Sequence, residues 1–174
     1  MAATHQFISS STVGSGGSTS VVFSSIPQIY TDLKVVWSAQ NNRADGNFGY
    51  LMVAFNSSSS SFSLKTMYST GSSGSQGSST ETSNYASFAL GTQWQGANTF
   101  GSGQMYIPNY SSGAYKSFYV DEVNEKDTSE VVNNFFAGLW SNTNPITSIT
   151  FTTTGNATKF NQYSNFYLYG IKNS

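Results

Sequence analysis

The side chains that could carry out catalysis are few in this sequence. It has a single histidine, His5, near the N-terminus, and no cysteine. A nucleophilic triad needs partners that orient its histidine, and a structural zinc site needs several histidine or cysteine ligands. A lone histidine meets neither requirement, so we assign no catalytic or metal-ligating role to His5.

The acidic residues are the next candidates, and most of the eight lie in one segment, Asp121–Glu130. Glycoside hydrolysis needs two carboxyl groups held across a cleft, but Asp121 and Glu122 are adjacent and would face opposite sides of a strand. The D-x-D-x-D-G spacing of a calcium loop is also missing. We therefore interpret the segment as a solvated hairpin tip, and Asp32 and Asp45 as strand-start and turn residues.

Sequence signals for cofactor or nucleic-acid binding are also missing. No G-x-S-x-G, G-x-G-x-x-G or P-loop motif stands between a strand and a helix, and Gly14–Gly17 and Gly71–Gly77 are Gly/Ser loops. The seven basic residues are scattered and the net charge is −1. A nucleic-acid partner would require a basic patch. We expect no cofactor, no enzymatic activity and no nucleic-acid partner.

The chain gives no sign of a membrane or secretion segment. No apolar run approaches the ~20 residues that span a bilayer. The N-terminal MAATHQFISS lacks the basic and apolar regions of a signal peptide. We expect synthesis in a cytoplasm and no membrane partner, and we interpret the sequons at Asn56, Asn109 and Asn156 as chance matches in a Ser/Thr-rich chain.

Aromatic residues are the remaining candidates for binding, since they make up 16% of the chain. Trp94, with Tyr110 and Tyr115, could form a sugar-stacking surface. Aromatic side chains of a β-sandwich more often belong to the core or to a subunit interface. We keep these three residues as candidates for either a glycan site or an interface.

The composition predicts one all-β domain covering residues 1–174. Only 9% of the residues are charged, against a usual ~25%. The abundance of aromatic residues argues against disorder, and a hydroxyl-rich, aromatic-rich chain is typical of β-sheet proteins. A surface with so little charge has little self-repulsion and suits packing against copies of itself or a larger assembly.

The stretch Val21–Gln40 organises the prediction of the fold. It begins with the apolar run Val21–Phe23 and crosses through Pro27, which cannot donate a ladder hydrogen bond. A strand with period-two alternation follows. Its core-facing residues are Leu33, Val35, Trp37 and Ala39. Two strands joined by a proline-bearing corner are a common beginning of a β-sandwich.

Similar patterns predict the other strands. They are Gln6–Val13, Phe48–Asn56, Phe62–Ser69, Tyr85–Leu90, Ser102–Ile107, Tyr115–Val120, Val131–Trp140, Ile146–Thr154 and Asn165–Ile171. Gln6–Val13 and Ser18–Ser24 should form a hairpin through Gly14–Gly17. The low-complexity residues 70–83 predict a flexible surface loop. We expect an antiparallel β-sandwich of about 8–10 strands without significant helix, jelly-roll-like or of another Greek-key topology.

Four of these segments also resemble a known group of proteins. They are Phe23–Trp37, Phe136–Trp140, Pro145–Phe151 and Phe166–Lys172. Together they resemble small β-sandwich virion structural proteins of tailed bacteriophages. In that group a corner like Ser24–Leu33, a strand like Ile146–Ile149 and an ending like Leu168–Ile171 recur, and the similarity runs from about Phe7 to the last strand. These motifs pack rather than catalyse, so no functional residue is carried over.

The resemblance implies a non-enzymatic virion protein, made in the host cytoplasm. We expect a capsid decoration (cement) protein that self-associates, with a trimer as our hypothesis, and docks on the major capsid protein to stabilise the shell. The alternative is a tail-fibre or receptor-binding module that recognises host-surface glycans.

Overall fold

A computed structural model describes residues 4–45, 49–58, 60–70, 75–83, 86–92, 96–125, 131–154 and 157–172. These residues form twelve β-strands and no helix, which confirms the all-β prediction. In chain order the strands are β1 (His5–Thr12), β2 (Ser20–Phe23), β3 (Asp32–Asn41), β4 (Gly49–Phe55), β5 (Phe62–Thr70), β6 (Ser75–Ser83), β7 (Ala86–Thr92), β8 (Gly101–Ile107), β9 (Lys116–Glu125), β10 (Val131–Trp140), β11 (Ile149–Thr154) and β12 (Asn165–Ile171).

The strands form two antiparallel sheets that enclose the core between them. The larger sheet has the order β1-β12-β3-β8-β9-β10-β5-β6, and the smaller sheet has the order β2-β11-β4-β7. One short parallel contact, Gln40 with Gly91 and Asn41 with Thr92, connects β3 to β7. The sandwich is therefore joined at one end into a continuous set of hydrogen-bonded strands.

The connectivity is that of a jelly roll with two insertions. The jelly-roll strands are β1-β12-β3-β8 in one sheet and β2-β11-β4-β7 in the other. The chain changes sheet at every connection except β5 to β6, β8 to β9 and β9 to β10. The inserted pairs, β5–β6 and β9–β10, widen the larger sheet beyond β8. This confirms the predicted jelly-roll-like sandwich, although the structure has more strands than expected.

Trp37 lies at the centre of the core, as its alternation on β3 predicts. Its ring packs at 6.2 Å from that of Phe151 on the opposite sheet. Gly103 on the neighbouring β8 leaves the space for this indole, since a Cβ there would lie 2.5 Å from Trp37 Cζ2. A second aromatic cluster forms where the inserted hairpins meet the jelly roll, with ring centroids 5.5–6.3 Å apart. Its members are Phe55, Phe62, Phe118 and Trp140.

The proline corner between β2 and β3 has the predicted role of connecting the two sheets. The corner is held from both sides, since Ile26 N donates to Thr147 O at 3.0 Å and Tyr110 Oη donates to Pro27 O. Gln28 Nε2 donates to Ile146 O at 3.0 Å. These bonds pair the backbone groups Ile26 N and Pro27 O and attach the crossing to the segments that contain Tyr110 and Ile146.

The predicted N-terminal hairpin is wrong. β1 pairs with β12, whereas β2 pairs with β11 in the other sheet. Gly16 and Gly17 have φ angles of 98° and 78°, which glycine adopts without steric cost. The glycine turn therefore carries the chain from one sheet to the other instead of folding it back within one sheet.

The prediction of a surface loop at residues 70–83 is wrong for the part that the structure describes; residues 71–74 lie outside it. Ser75–Ser83 forms β6, which pairs along its whole length with β5 at the border of the larger sheet. The extra strand arises because an edge strand needs only backbone hydrogen bonds to one neighbour, so it can form without an apolar face.

The predicted hairpin tip at Asp121–Glu130 is corrected in its first half. β9 extends to Glu125, so that Asp121 and Glu122 are strand residues and not part of a hairpin tip. Residues 126–130 lie outside the described part of the chain.

Candidate binding site

The outer side of the larger sheet carries a surface that we call the aromatic face. The strand register aligns its residues in rows across seven strands, from β1 to β5. The first row contains Phe7, Tyr169, Lys34, Tyr106, Tyr119, Ala137 and Lys65. The second row contains Tyr167, Val36, Gln104, Asp121, Phe135 and Met67. Rings and aliphatic chains thus alternate with a few polar groups.

Several of these apolar side chains are exposed to a degree that is unusual for their size. Phe7 is 59%, Met67 58% and Phe135 41% exposed. Among the described residues of the smaller sheet, the large hydrophobic side chains exposed to this degree are Val22 and Tyr50. A concentration of exposed apolar groups on one side of a soluble domain is typical of an interaction surface.

The centre of the aromatic face is a ladder of three rings on three adjacent strands. Tyr106 and Tyr119 stack at 5.4 Å with 26° between their planes, and Tyr119 and Phe135 stack at 6.0 Å with 23°. Rings stacked on each other cover part of each other's faces. The ladder therefore offers less of the open ring face that a sugar would stack on, and is better suited to packing against protein side chains.

Asp32 fixes the first ring of this ladder. Its carboxylate is buried and accepts hydrogen bonds from Tyr106 Oη at 2.5 Å and from Asn109 N at 2.9 Å. The bond to Asp32, followed by burial, raises the pKa of Tyr106 to about 12. The acid predicted to start a strand therefore also orients an aromatic ring on the surface.

A second feature, the end cavity, lies at the end of the sandwich where β3 ends and β12 begins. It has a volume of about 310 Å³. Gln40 forms part of its wall, together with residues of the loops 14–17, 96–100 and 157–164. Small-molecule sites in proteins commonly have volumes of ~300–1,000 Å³, so the end cavity is at the lower limit of that range.

Hydrogen bonds fix the wall of the end cavity around Gln40. Its Nε2 donates to Gly96 O at 2.7 Å and to Thr99 O at 2.8 Å, and its Oε1 accepts from Asn161 Nδ2 at 2.7 Å. The Gln40 backbone exchanges two hydrogen bonds with the Ser164 hydroxyl. One buried side chain thus ties two loops to β3, and the wall is ordered before any ligand arrives.

Lys159 and Tyr163 stand at the mouth of this cavity. Lys159 Nζ donates to Gly16 O at 2.8 Å, and its stem packs so closely on the glycine turn that a Cβ on Gly17 would lie 2.8 Å from Lys159 Cδ. Tyr163 is 67% exposed and has a φ angle of 72°, which is uncommon for an aromatic residue. Its amide donates to Val13 O at 2.9 Å, which holds this conformation.

Lys116 is a buried cation that belongs to neither surface. Its Nζ donates to the carbonyl oxygens of Ser112 at 2.8 Å and Ala114 at 2.5 Å, and lies within 3.5 Å of those of Asn142 and Thr143. Burial lowers the pKa of this ammonium group. It connects two loops at one end of the sandwich, and we assign it a structural role.

Of the three aromatic candidates of the sequence, the structure describes Tyr110 and Tyr115. Tyr110 is fully buried, with its hydroxyl bonded to Pro27 O, and burial raises its pKa. Tyr110 therefore belongs to the core and cannot stack on a sugar, which corrects its assignment. Tyr115 is 58% exposed in the loop before β9, and Trp94 lies outside the described residues.

The candidates for chemistry remain dispersed. Asp121 faces solvent, whereas Glu122 faces inward and accepts a hydrogen bond from Asn134 Nδ2 at 3.0 Å, so the two carboxylates do point to opposite sides. His5 is exposed on β1. Within the described ranges, no group of three or more histidine, cysteine, aspartate or glutamate side chains could hold a metal ion. The described residues also include no helix that could cross a bilayer.

Sequence reasoning missed both surfaces. The end cavity is built from segments far apart in the chain, and no spacing could reveal it. The aromatic face had a weak signal, since Tyr119 is out of phase with the buried Phe118 and Val120. Comparison of the sequence with protein-family models and with curated proteins gives no match.

Proposed function

We propose that this chain is a non-enzymatic structural protein of a tailed-bacteriophage virion and acts as a capsid decoration protein. The observation that carries the proposal is the aromatic face, an exposed apolar surface on the larger sheet. The resemblance of segments such as Phe23–Trp37 and Phe166–Lys172 to phage proteins supplies the virion context. The favoured partner is the major capsid protein.

The dimensions of the aromatic face suit weak individual contacts made in many copies. Seven strands at ~4.8 Å spacing, and two rows that each take ~6.8 Å along the strands, give a flat area of about 450 Å². This is about half of the ~800 Å² that each partner buries in a standard interface. If half of it is apolar, burial contributes about 5 kcal/mol at ~25 cal/mol per Å². The entropic cost of association is of similar size, so that one copy alone would dock weakly.

Self-association would overcome this limit. A trimer presents three aromatic faces at once, and the second and third contacts form at high effective concentration. The chain has 7 basic and 8 acidic side chains in 174 residues, so repulsion between copies is small. Repeated over a capsid, such contacts would connect neighbouring capsomers and oppose internal pressure.

The experiment that tests this proposal locates the protein on the particle. Gold-labelled antibody against this chain should decorate the heads of virions that encode it, and purified protein should co-sediment with emptied capsids. Label on the tail alone, or no affinity for assembled capsids, would contradict the decoration role.

The end cavity favours a second candidate function, recognition of host-surface glycans by a tail-fibre or receptor-binding module. An ordered cavity with amide side chains and an exposed ring at its mouth has the chemistry of a sugar site. Purified protein that blocks adsorption of the virus to its host would support this function. Unimpaired adsorption at saturating protein would count against it.

A further inference from the structure

We propose that the end cavity binds an acidic saccharide, a pyranose that carries a carboxylate. This inference rests on the second candidate function and names its ligand class and residues. It does not depend on the aromatic face, which lies on the outer side of the larger sheet, whereas the cavity opens at the end of the sandwich.

The charge of the cavity favours an anionic ligand. Lys159 is the one charged side chain among the described residues that line it. Its Nζ uses one proton for Gly16 O at 2.8 Å and keeps two donors for another acceptor. Packing against the glycine turn fixes the lysine stem, so little side-chain entropy is lost when a carboxylate binds.

The amide side chains of the cavity suit sugar hydroxyl groups. Both protons of Asn161 Nδ2 are used, on Gln40 Oε1 at 2.7 Å and on Asn41 O at 3.2 Å. This fixes the amide orientation, and Asn161 Oδ1 has no donor among the described residues. Asn98 and Gln162 are exposed on the lining. A fixed acceptor flanked by adaptable amides can bind several hydroxyls of one ring.

Tyr163 supplies the apolar contact. Its ring is exposed, and its φ angle of 72° is a strained backbone conformation for a residue other than glycine. Such strain at the mouth of a cavity indicates that the position of the side chain matters more than local stability. A pyranose could place its C–H face on this ring while its hydroxyls meet the amides.

The same residues argue against two simpler ligands. A phosphate site commonly uses several cationic groups or a helix N-terminus, and the described lining has a single lysine and no helix. A neutral sugar would leave the Lys159 ammonium without a charged partner. A carboxylated sugar uses the cation, the amides and the ring together.

The test is a titration of the full chain with each probe, in which binding is measured from amide chemical shifts in ¹H–¹⁵N spectra. The probes are sodium glucuronate, glucose as its neutral analogue, and sodium acetate as the carboxylate alone. The variants are Lys159→Met, which keeps the apolar stem, and Tyr163→Gly, which removes the ring and relieves the backbone strain. Lys172→Met and Tyr115→Ala are the matched controls, since both residues are exposed outside the cavity. Thermal unfolding monitors the fold of each variant.

We expect glucuronate to shift the amides of residues 159–163 saturably. Lys159→Met should weaken its binding at least about tenfold, as expected for the loss of one charge-assisted hydrogen bond. Tyr163→Gly should weaken binding although its melting temperature is unchanged or higher. The two control variants should bind like the unmodified chain.

Three results would overturn the inference. If glucose and glucuronate bind equally well and Lys159→Met does not weaken binding, the ligand is not an acidic saccharide. That result would not contradict glycan recognition itself. If acetate causes the same amide shifts as glucuronate, the cavity binds a carboxylate without recognising the sugar. No shift with any of the probes at residues 159–163 would remove the site itself, and failure to block adsorption would separately remove the second function.

Discussion

Tyr106 and Asp32 are joined by a hydrogen bond of 2.5 Å between the phenol and the buried carboxylate. The same carboxylate accepts a hydrogen bond from the amide of Asn109, whose φ angle is 50°. One acid thus holds the turn after β8 and the first ring of the aromatic ladder. The shape of the aromatic face therefore depends on a group below the surface.

The pH dependence of stability should reveal this bond. The pKa of Tyr106 is raised from 10.0 to about 12 in the folded chain, so the native state keeps a proton that the unfolded state loses. Its contribution is complete below pH 10 and is lost as the pH rises from 10 through 12. Urea unfolding across this range should show a steeper loss for the unmodified chain than for Tyr106→Phe. Parallel curves for the two proteins would show that the bond does not form.

A substitution in the aromatic ladder should abolish docking on capsids while the protein stays folded. Phe135→Lys places a charge at the centre of the exposed surface and should abolish co-sedimentation with capsids. The free energy of unfolding should fall by no more than ~1 kcal/mol, because the ring lies outside the core and loses only a cross-strand pair. Val22→Lys is the matched control, since Val22 is 53% exposed on the smaller sheet. Equal effects of both substitutions on docking would contradict the assignment of this surface.

Lys116 should change the pH dependence of stability in the opposite direction from Tyr106. Burial lowers its pKa from 10.5, so the unfolded state binds more protons just below that value and stability due to this residue rises with pH. Lys116→Met lacks this rise. At neutral pH the variant should lose ~1–3 kcal/mol of unfolding free energy, because the carbonyls of Ser112 and Ala114 lose their donor.

Urea unfolding at several pH values measures both effects. Lys172→Met, at an exposed lysine whose Nζ lies 5.9 Å from the centroid of the Tyr30 ring, should lower the free energy of unfolding at neutral pH by no more than ~1 kcal/mol. A stability gap between Lys116→Met and the unmodified chain that stays constant up to pH 10.5 would argue against the lowered pKa.

Gly103→Ala tests the packing around Trp37, and Gly113→Ala is its control. Gly103→Ala would place a Cβ 2.5 Å from Trp37 Cζ2, so one of the two residues must move. Overpacking of this kind costs ~1–3 kcal/mol, measured as a lower free energy of unfolding. Gly113→Ala meets no atom within 4 Å and should be nearly neutral. A Gly103→Ala variant as stable as Gly113→Ala would mean that the core is looser than the structure shows.

The strands with a strong apolar alternation were the most predictable part of the fold. Val131–Trp140 and Asn165–Ile171 are observed with the predicted bounds, and the core-facing residues of β3 are buried as expected. β6 was missed because its Ser and Thr residues carry no apolar periodicity. The partner of β1 was misassigned because strand pairing in a sandwich is decided by contacts between distant segments, which local turn residues do not encode.

The candidate sites were less predictable than the fold for a related reason. Lys159 and Tyr163 belong to a polar segment between two strands, and Gln40 is more than a hundred residues earlier in the chain. Nothing in their spacing indicates a common cavity. The virion location, the trimer and the capsid partner stay predictions.

The two hairpins inserted into the jelly roll divide the molecule into a jelly-roll frame and an arm built from β5, β6, β9 and β10. Their roots are locked to the frame by Phe62, Phe118 and Trp140, whereas Met67 and Phe135 lie farther out on the same strands. The distal halves could therefore be replaced by other sequences without disturbing the eight jelly-roll strands. A scaffold of this kind can acquire a new recognition specificity by exchange of two hairpins, while its hydrophobic core remains the same.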